Sequence, residues 1–282
     1  MKNVMFQIKY DFINGIVHQW KKFLLIAVVY AVLITDFLVR CKTKHFMGQY
    51  TSSDIILYIF RGMRWIVDVQ TDINIPTAYI LPNILIGFAI GNYPFKDING
   101  YGGMVLMRAG KKLVWWISKC IWAVLTACIC YGILILEIAG VSLAGGRLSL
   151  QVNRQVCISI DGYDKTLIKN NPNLTRLAVY MISVGLLTTI AICLVQICVS
   201  QIMGPIIGYI AVVVIMIMGV FFRPFLFIGN GFMALRNIMY TPEGGSLTLT
   251  VIADIMLIVI SVIVGYVSFR RMDILKKSDW RV

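Results

Sequence analysis

The sequence predicts an all-α integral membrane protein with six transmembrane helices. Charged residues make up only 14% of the chain and hydrophobic residues 59%, whereas a soluble domain carries about 25% charged residues. The mean hydropathy is +0.82. Several apolar runs approach the roughly 20 residues that a helix needs to cross the hydrocarbon core of a bilayer. Because lipid offers no partner to backbone amides, such runs are expected to be helical.

Six apolar runs are predicted as spans of a single transmembrane domain over residues 1–282. They cover residues 23–39, 75–93, 121–141, 177–200, 205–222 and 248–269. Pro76 and Pro82 are expected to bend the second run. The fourth and fifth runs are separated by a very short turn. Because the number of spans is even, both termini are expected on the same side of the membrane.

Residues 1–22 are predicted to form a cytoplasmic interfacial helix, with a plain soluble leader as the alternative. Apolar and polar side chains occupy opposite faces at helical spacing, which is typical of a helix lying on a membrane. The apolar face contains Met5, Ile8, Phe12, Ile13, Ile16, Val17 and Trp20, and the polar face Lys2, Lys9, Asp11, Asn14, His18 and Lys21.

Charge favours cytoplasmic termini. With the N-terminus inside, 14 of the 26 basic residues lie on the inner segments, which are shorter in total than the outer loops. That bias follows the positive-inside rule and predicts a multi-pass protein of the cell membrane. The inverted topology is the alternative. The net charge of +13 is explained by topology and membrane lipid headgroups, so no nucleic-acid partner is expected.

Three outer segments carry their own patterns. Residues 54–72 are predicted to form an amphipathic helix on the outer leaflet. Residues 147–160 alternate between apolar and polar side chains, which predicts a bent strand or a short β-hairpin. Residues 223–240 are apolar but broken by Pro224, Gly229 and Gly231. They are predicted to form a re-entrant outer element, which must be buried in protein.

Residues 94–119 lie between the second and third predicted spans and are basic and rich in glycine. A segment this short holds no enzyme site of its own, but it can dock on a partner. Arg and Trp are typical anchors of protein interfaces, whereas ordinary positive-inside charge with an aromatic belt is the alternative. The candidate docking residues are Lys96, Asp97, Arg108, Lys111, Lys112 and Trp115.

The same segment is similar to the coupling segment of type-2 ABC exporter permeases, the family with the ABCG-like architecture. The similarity rests on Lys96-Asp97, Gly100, Val105-Leu106, Ala109-Gly110, Lys111-Lys112 and Lys119, together with the preceding amphipathic helix, the six spans and the outer element. Asp97 stands where Glu is commoner in the family, and Ala109 where Pro is common.

This resemblance implies the membrane-spanning permease subunit of an ATP-driven exporter of peptides, antibiotics, lipids or similar substrates. It implies a dimer with a second permease copy or a homologous permease. A separate ABC ATPase subunit is expected to bind the ATP and Mg²⁺.

The chain itself is not expected to be an enzyme. The pattern of a phosphate-binding loop is incomplete, because Val105 stands where the first Gly of the loop should be. No cofactor or metal is expected on this chain, since His18 and His45 are single and far apart. No catalytic spacing of acids or His is present in the predicted spans.

Three acids, Asp36, Glu137 and Asp254, lie inside or at the edge of predicted spans. An acid at the bilayer centre costs on the order of 3 kcal/mol, so these acids are candidates for a substrate path or an outer gate. The alternative is that they reach the headgroups or pair with Arg40, Arg147 or Arg236. The alternative function is a membrane-anchored immunity or sensor protein that binds a peptide or antibiotic through its outer loops.

Overall fold

The computed structural model describes residues 2–64, 76–100, 102–104, 106, 112–169, 171–221 and 229–272. Within these ranges the protein is all-helical and contains no strand. The α-helices whose two ends lie in these ranges are α1 (Lys2–Gly15), α2 (Trp20–Thr43), α3 (Ser52–Ile59), α4 (Thr77–Ile90), α5 (Tyr93–Ile98), α6 (Lys112–Gly145), α7 (Arg154–Ser159), α8 (Lys165–Lys169), α9 (Leu174–Met203), α10 (Pro205–Phe221) and α11 (Leu247–Arg271).

Four helical segments in the described residues are long and apolar enough to cross a membrane, as in an all-α membrane protein. They contain α2, α6, α9 and α11, so the predictions of long apolar helices over 23–39, 121–141, 177–200 and 248–269 are confirmed. The other two predicted spans correspond to shorter helices, α4 with 14 residues and α10 with 17. The total of six spans therefore stays a prediction.

Helix α9 is the centre of the bundle and packs against α11, α10, α6, α4 and α3. It is the most enclosed of the four long segments, whereas α11 turns most of its surface outward. The exposed side chains of α10 and α11 are apolar, which suits lipid or another protein better than water. They include Ile206, Ile210, Ile217, Ile252, Ile255, Met256, Val259 and Ile263.

A single residue, Gly204, separates α9 from α10, as the short turn in the sequence predicts. Its φ of +102° lies in the region that favours glycine. The two helices therefore leave the turn in close contact, with Gly208 against the backbone and side chain of Ser200.

One end of the bundle, which we call the basal end, contains α1, α5 and the first turns of α6. It also contains the C-terminal ends of α4, α9 and α11. Two lysines donate hydrogen bonds to carbonyls at helix C-termini here. The Lys22 Nζ donates to the Ala89 carbonyl near the end of α4 at 2.8 Å, and the Lys112 Nζ donates to the Met272 carbonyl after α11 at 2.7 Å. Cations at helix C-termini are favourable, since free carbonyls concentrate negative charge there.

The opposite end is covered by a structure that we call the cap, formed by residues 44–64, 146–169, 171–173 and 229–246. Backbone and side-chain hydrogen bonds join its parts. The Ser53 hydroxyl donates to the Leu150 carbonyl at 2.7 Å, and the Ala234 N–H donates to the Phe60 carbonyl at 2.9 Å. The three connections at this end thus form one ordered unit.

Asp54 lies at the centre of the cap and is fully buried. Its carboxylate accepts the Thr51 N–H at 2.8 Å and the Asn153 N–H at 2.9 Å, so it joins the start of α3 to the start of α7. Burial raises the pKa of Asp54 to about 6 despite these hydrogen bonds. Burial also raises the pKa of Asp161, whose side chain is fully enclosed in the same region.

Arg236 is buried between the cap and the bundle. Its guanidinium donates to the carbonyls of Met63, Gly219 and Val220 and to the side chain of Asn230. Burial lowers the pKa of Arg236 to about 10, which still leaves the group charged at neutral pH. These acceptors replace the water that the guanidinium loses on burial. Through its hydrogen bond to Met63, Arg236 also links the connection after α10 to the connection after α3.

The predicted β-hairpin or bent strand over 147–160 is wrong. Residues 154–159 form helix α7, which Asn153 caps by accepting the Gln155 N–H. Pairing with another segment is limited to an isolated bridge between Thr51 and Arg147. The alternation in the sequence misleads because Leu148 and Leu150 are exposed, whereas the consecutive residues Val156 and Cys157 are buried.

The predicted helix over 54–72 begins earlier, at Ser52, and does not lie on a leaflet. All eight residues of α3 are buried in the cap, so its apolar side chains contact protein. Residues 65–75 lie outside the described residues. Of the predicted re-entrant element, residues 229–240 are described and form two buried 3-10 turns, Asn230–Phe232 and Ala234–Arg236.

We expect the cap to lose stability as the pH rises through the titration of Asp54. The folded chain binds this proton more tightly than the unfolded chain, so the free energy of unfolding falls between pH 3.8 and about 6. The shift corresponds to about 3 kcal/mol, and the raised pKa of buried Asp161 contributes a loss of the same sign. Hydrogen exchange of cap amides across this pH range measures the effect.

The variant Asp54→Asn should flatten this dependence. Asp164→Asn is the matched control, because burial contributes little at Asp164 and hydrogen bonds from Thr166 lower its pKa. If the free energy of unfolding of Asp54→Asn depends on pH as strongly as that of the unsubstituted protein, the assignment of this pH dependence to Asp54 is wrong.

Candidate functional site

The strongest electrostatic feature of the described residues is a buried ion cluster at the basal end. The Lys119 Nζ lies 2.5 Å from the Asp11 Oδ1 and 2.6 Å from the Asp97 Oδ2. The exposed fractions of these side chains are 0% for Lys119, 1% for Asp11 and 3% for Asp97. One ammonium group therefore joins α1, α5 and α6 in the absence of solvent.

Neutral donors complete the coordination of the two carboxylates. Asp11 accepts the Tyr93 hydroxyl at 2.8 Å and the Ser118 hydroxyl at 2.5 Å. Asp97 accepts the Trp115 indole N–H at 2.9 Å. We call Asp11, Asp97, Lys119 and these three donors the charged cluster.

Two aromatic rings enclose the ammonium group. The Lys119 Nζ lies 4.6 Å from the centroid of the Tyr93 ring and 5.0 Å from that of Trp115. Such cation–π contacts stabilise a desolvated cation. Two carboxylates against one ammonium give the cluster a formal charge of −1, which the hydroxyl and indole donors help to accommodate.

Helical spacing brings these side chains together. In α1, Gln7, Asp11 and Gly15 recur every four residues and are buried, so this stripe faces α6. In α6, Trp115, Lys119 and Trp122 form the corresponding stripe and are buried as well. The apolar side chains of α1, including Met5, Phe6 and Phe12, point outward.

The backbone near Gly102 approaches the carboxylate of Asp97 very closely. A Cβ atom at position 102 would lie only 2.2 Å from the Asp97 Oδ2. Glycine is therefore the residue that allows this close packing against the Asp97 carboxylate.

The arrangement suits mechanical connection better than catalysis. Both carboxylates and the ammonium group of the charged cluster are held by partners within the chain, so these three groups are engaged in connecting α1, α5 and α6. Removing one member of a buried ion pair leaves an uncompensated charge, so the three segments are coupled. Over the described ranges, no group of three or more His, Cys, Asp or Glu residues is arranged to hold a metal ion.

The structure distributes the predicted docking residues between the surface and the interior. Lys96 is exposed on α5. Asp97 and Trp115 are buried in the charged cluster, where they contact this chain itself. Lys112 is partly buried, and its ammonium donates to carbonyls at the end of α11. Arg108 and Lys111 lie outside the described residues.

The three acids predicted for a substrate path have different surroundings. Asp36 is about half exposed, pairs with Arg40 at 3.0 Å and accepts the Tyr58 hydroxyl. Asp254 is buried and accepts the Thr188 hydroxyl at 2.5 Å. The Glu137 Oε2 is a buried atom without a hydrogen-bond partner among the described residues.

The sequence patterns missed three members of the charged cluster. Asp11 was expected on the water-facing side of α1, and Tyr93 and Ser118 carried no expectation. One signal in the sequence could have indicated that Asp11 is buried. Asp11 lies four residues from Gln7 and four from Gly15, so it shares a helix face with two uncharged residues rather than with the charged Lys2 and Lys9.

Comparison with known proteins yields a family but no activity. A family model described as "Protein of unknown function (DUF2705)" matches residues 28–275. No curated protein matches the chain, and no solved structure does.

Replacing Lys119 by methionine should destabilise the protein by about 3–5 kcal/mol, because it leaves two carboxylates buried without their cation. The side chains are similar in length, so packing changes little. Lys96→Met is the matched control, since Lys96 is an exposed lysine of the same end. Thermal unfolding of the purified protein in detergent measures both.

The triple variant Asp11→Asn, Asp97→Asn, Lys119→Met should recover much of the lost stability, because no uncompensated charge remains. Equal losses in Lys119→Met and Lys96→Met would show that the charged cluster does not stabilise the basal end.

Proposed function

The chain belongs to the family described as "Protein of unknown function (DUF2705)", and we propose that it is the membrane-spanning permease subunit of an ATP-driven ABC exporter. The observation that carries the proposal is the charged cluster. It links α5, in the connection after α4, to the interfacial helix α1 and to the long helix α6. A force on this connection is therefore passed to two other segments of the bundle.

In this proposal α2, α4, α6, α9, α10 and α11 are the six spans. The basal end and both termini face the cytoplasm, and the cap lies outside. Exposed lysines at the basal end, including Lys9, Lys21 and Lys96, agree with this orientation. The exposed apolar faces of α10 and α11 offer surfaces for lipid and for the second permease copy.

The energy is proposed to come from a separate ATPase subunit, which would hold ATP and Mg²⁺. This chain carries no complete phosphate-binding loop, since Val105 replaces the first glycine of the pattern. The resemblance of 94–119 to a coupling segment supplies the place of contact. Lys96, together with Arg108 and Lys111 from the same segment, is assigned to direct contact with the ATPase.

Asp97 and Trp115 take an internal role in this mechanism. The ATPase would contact the connection differently in its open and closed states, since a ligand shifts an equilibrium only through differential affinity. The charged cluster would then make α1 and α6 follow the connection. The movement would reach the cap through α6, which is about 51 Å long at 1.5 Å per residue over 34 residues.

A membrane-anchored immunity or sensor protein is the second candidate function. The ordered cap favours it, because interlocked connections of this kind can present a binding surface for a peptide or antibiotic. Such a protein would need no ATPase.

Purification of the tagged chain from its native membranes should bring with it a subunit that hydrolyses ATP. Lys96→Glu should lower recovery of that subunit and the ATPase activity of the complex several-fold, because it reverses charge at the proposed contact. Lys165→Glu is the control, an exposed lysine of the cap at the other end.

Transport by a preparation that contains no ATPase would refute the proposal. Specific binding of a peptide or antibiotic to the cap, with no ATP-hydrolysing partner, would favour the second candidate. Equal effects of Lys96→Glu and Lys165→Glu would contradict the choice of Lys96.

A further inference from the structure

A cavity of about 370 Å³ lies where α2 and α4 meet the cap. Its size is in the range of pockets that hold small molecules or a molecular headgroup. Its polar wall is formed by side chains from three segments: Asp36, Arg40, Tyr58, Arg61, Thr77 and Tyr79. None of these belongs to the charged cluster.

The cavity lies at the level where helices leave the apolar bundle. Asp36 and Arg40 precede the end of α2 at Thr43 by about 10 Å and 5 Å of helix. Thr77 is the first residue of α4. Polar and aromatic side chains at such helix ends meet lipid headgroups in a membrane.

One face of α2 connects this cavity to the lipid-facing surface. Val28, Val32, Asp36 and Arg40 recur every four residues and therefore lie along one stripe. Val28 is 50% exposed and Val32 is 61% exposed, and the side chains of Asp36 and Arg40 are about half exposed. The stripe is thus apolar in the bundle and charged where it reaches the cavity.

The charge of the cavity favours an anion. Arg40 and Arg61 contribute two positive charges and Asp36 one negative charge, which gives a formal excess of +1. The Arg40 Nε faces Asp36, and one Arg61 N–H donates to the Asp161 backbone carbonyl at 2.8 Å. A guanidinium has five N–H donors in a planar fork that matches phosphate oxygens.

We propose that this cavity binds the phosphate headgroup of an anionic phospholipid in the leaflet at the cap end, with the acyl chains along Val28 and Val32 of α2. Arg40 and Arg61 hold the phosphate. The Thr77 hydroxyl and the oxygen of the Tyr58 hydroxyl, whose hydrogen is donated to Asp36, are left for the rest of the headgroup. Binding requires no ATPase, so it stands apart from the proposed transport function.

Native mass spectrometry of the full-length protein in detergent tests the proposal. Short-chain phosphatidylglycerol is titrated, in parallel with phosphatidylcholine of the same chains and with glycerol 3-phosphate. We expect saturable binding of phosphatidylglycerol, much weaker binding of phosphatidylcholine, and no binding of glycerol 3-phosphate in the same concentration range.

Arg40→Gln and Arg61→Gln should each weaken phosphatidylglycerol binding about tenfold, as expected for the loss of one charged contact of about 1.4 kcal/mol. Arg147→Gln is the matched control, because Arg147 is an exposed arginine of the cap that does not line the cavity. Arg40 is about half exposed, so its replacement tests the site even if Arg61→Gln disturbs the cap.

Three results would overturn the proposal. Equal binding of the two phospholipids would indicate general lipid adsorption. Equal affinity for glycerol 3-phosphate would indicate a site for soluble anions. Unchanged affinity in Arg40→Gln, with unchanged thermal unfolding, would place the lipid elsewhere on the protein.

Discussion

The sharing of one ammonium group by two buried carboxylates is the constraint on which the basal end depends. Lys119 has no access to water, and its compensation comes from Asp11 on α1 and Asp97 on α5. A charge in such surroundings tolerates little displacement of its partners, because solvent does not replace a lost contact. Helix α1, the short connection that contains α5 and the long helix α6 are therefore held in one arrangement by electrostatics rather than by apolar packing alone.

The two ends of the bundle are stabilised in different ways. The basal end relies on ion pairs and on lysines that meet helix C-termini. The cap relies on backbone hydrogen bonds, on the buried carboxyl of Asp54 and on the buried guanidinium of Arg236, which donates to backbone carbonyls. Helix α9 joins the two ends and packs on most of its neighbours. A rearrangement at one end would reach the other through the helices that run between the two ends, α2, α6, α9 and α11.

Apolar run length was enough to predict α2, α6, α9 and α11, because only a helix satisfies its own backbone over such a stretch. It could not determine whether α4 and α10 cross a bilayer, since both are short. The alternation of apolar and polar residues over 147–160 wrongly predicted a strand. Leu148 and Leu150, which contribute to that alternation, lie exposed in an irregular segment. The charged cluster could not be predicted from helical periodicity. The position of Asp11 on its helix is the same whether its carboxylate faces water or a lysine 108 residues later in the chain.

Asp11 and Lys119 are 108 residues apart, so they are synthesised at different times. At translation rates of about 5–20 residues per second, Lys119 leaves the ribosome about 5–20 s after Asp11. During this interval the carboxylate of Asp11 has no cation from α6, so its ion pair with Lys119 is not yet formed. Closure of the basal end is then a late event, which occurs only after the first turns of α6 have been synthesised.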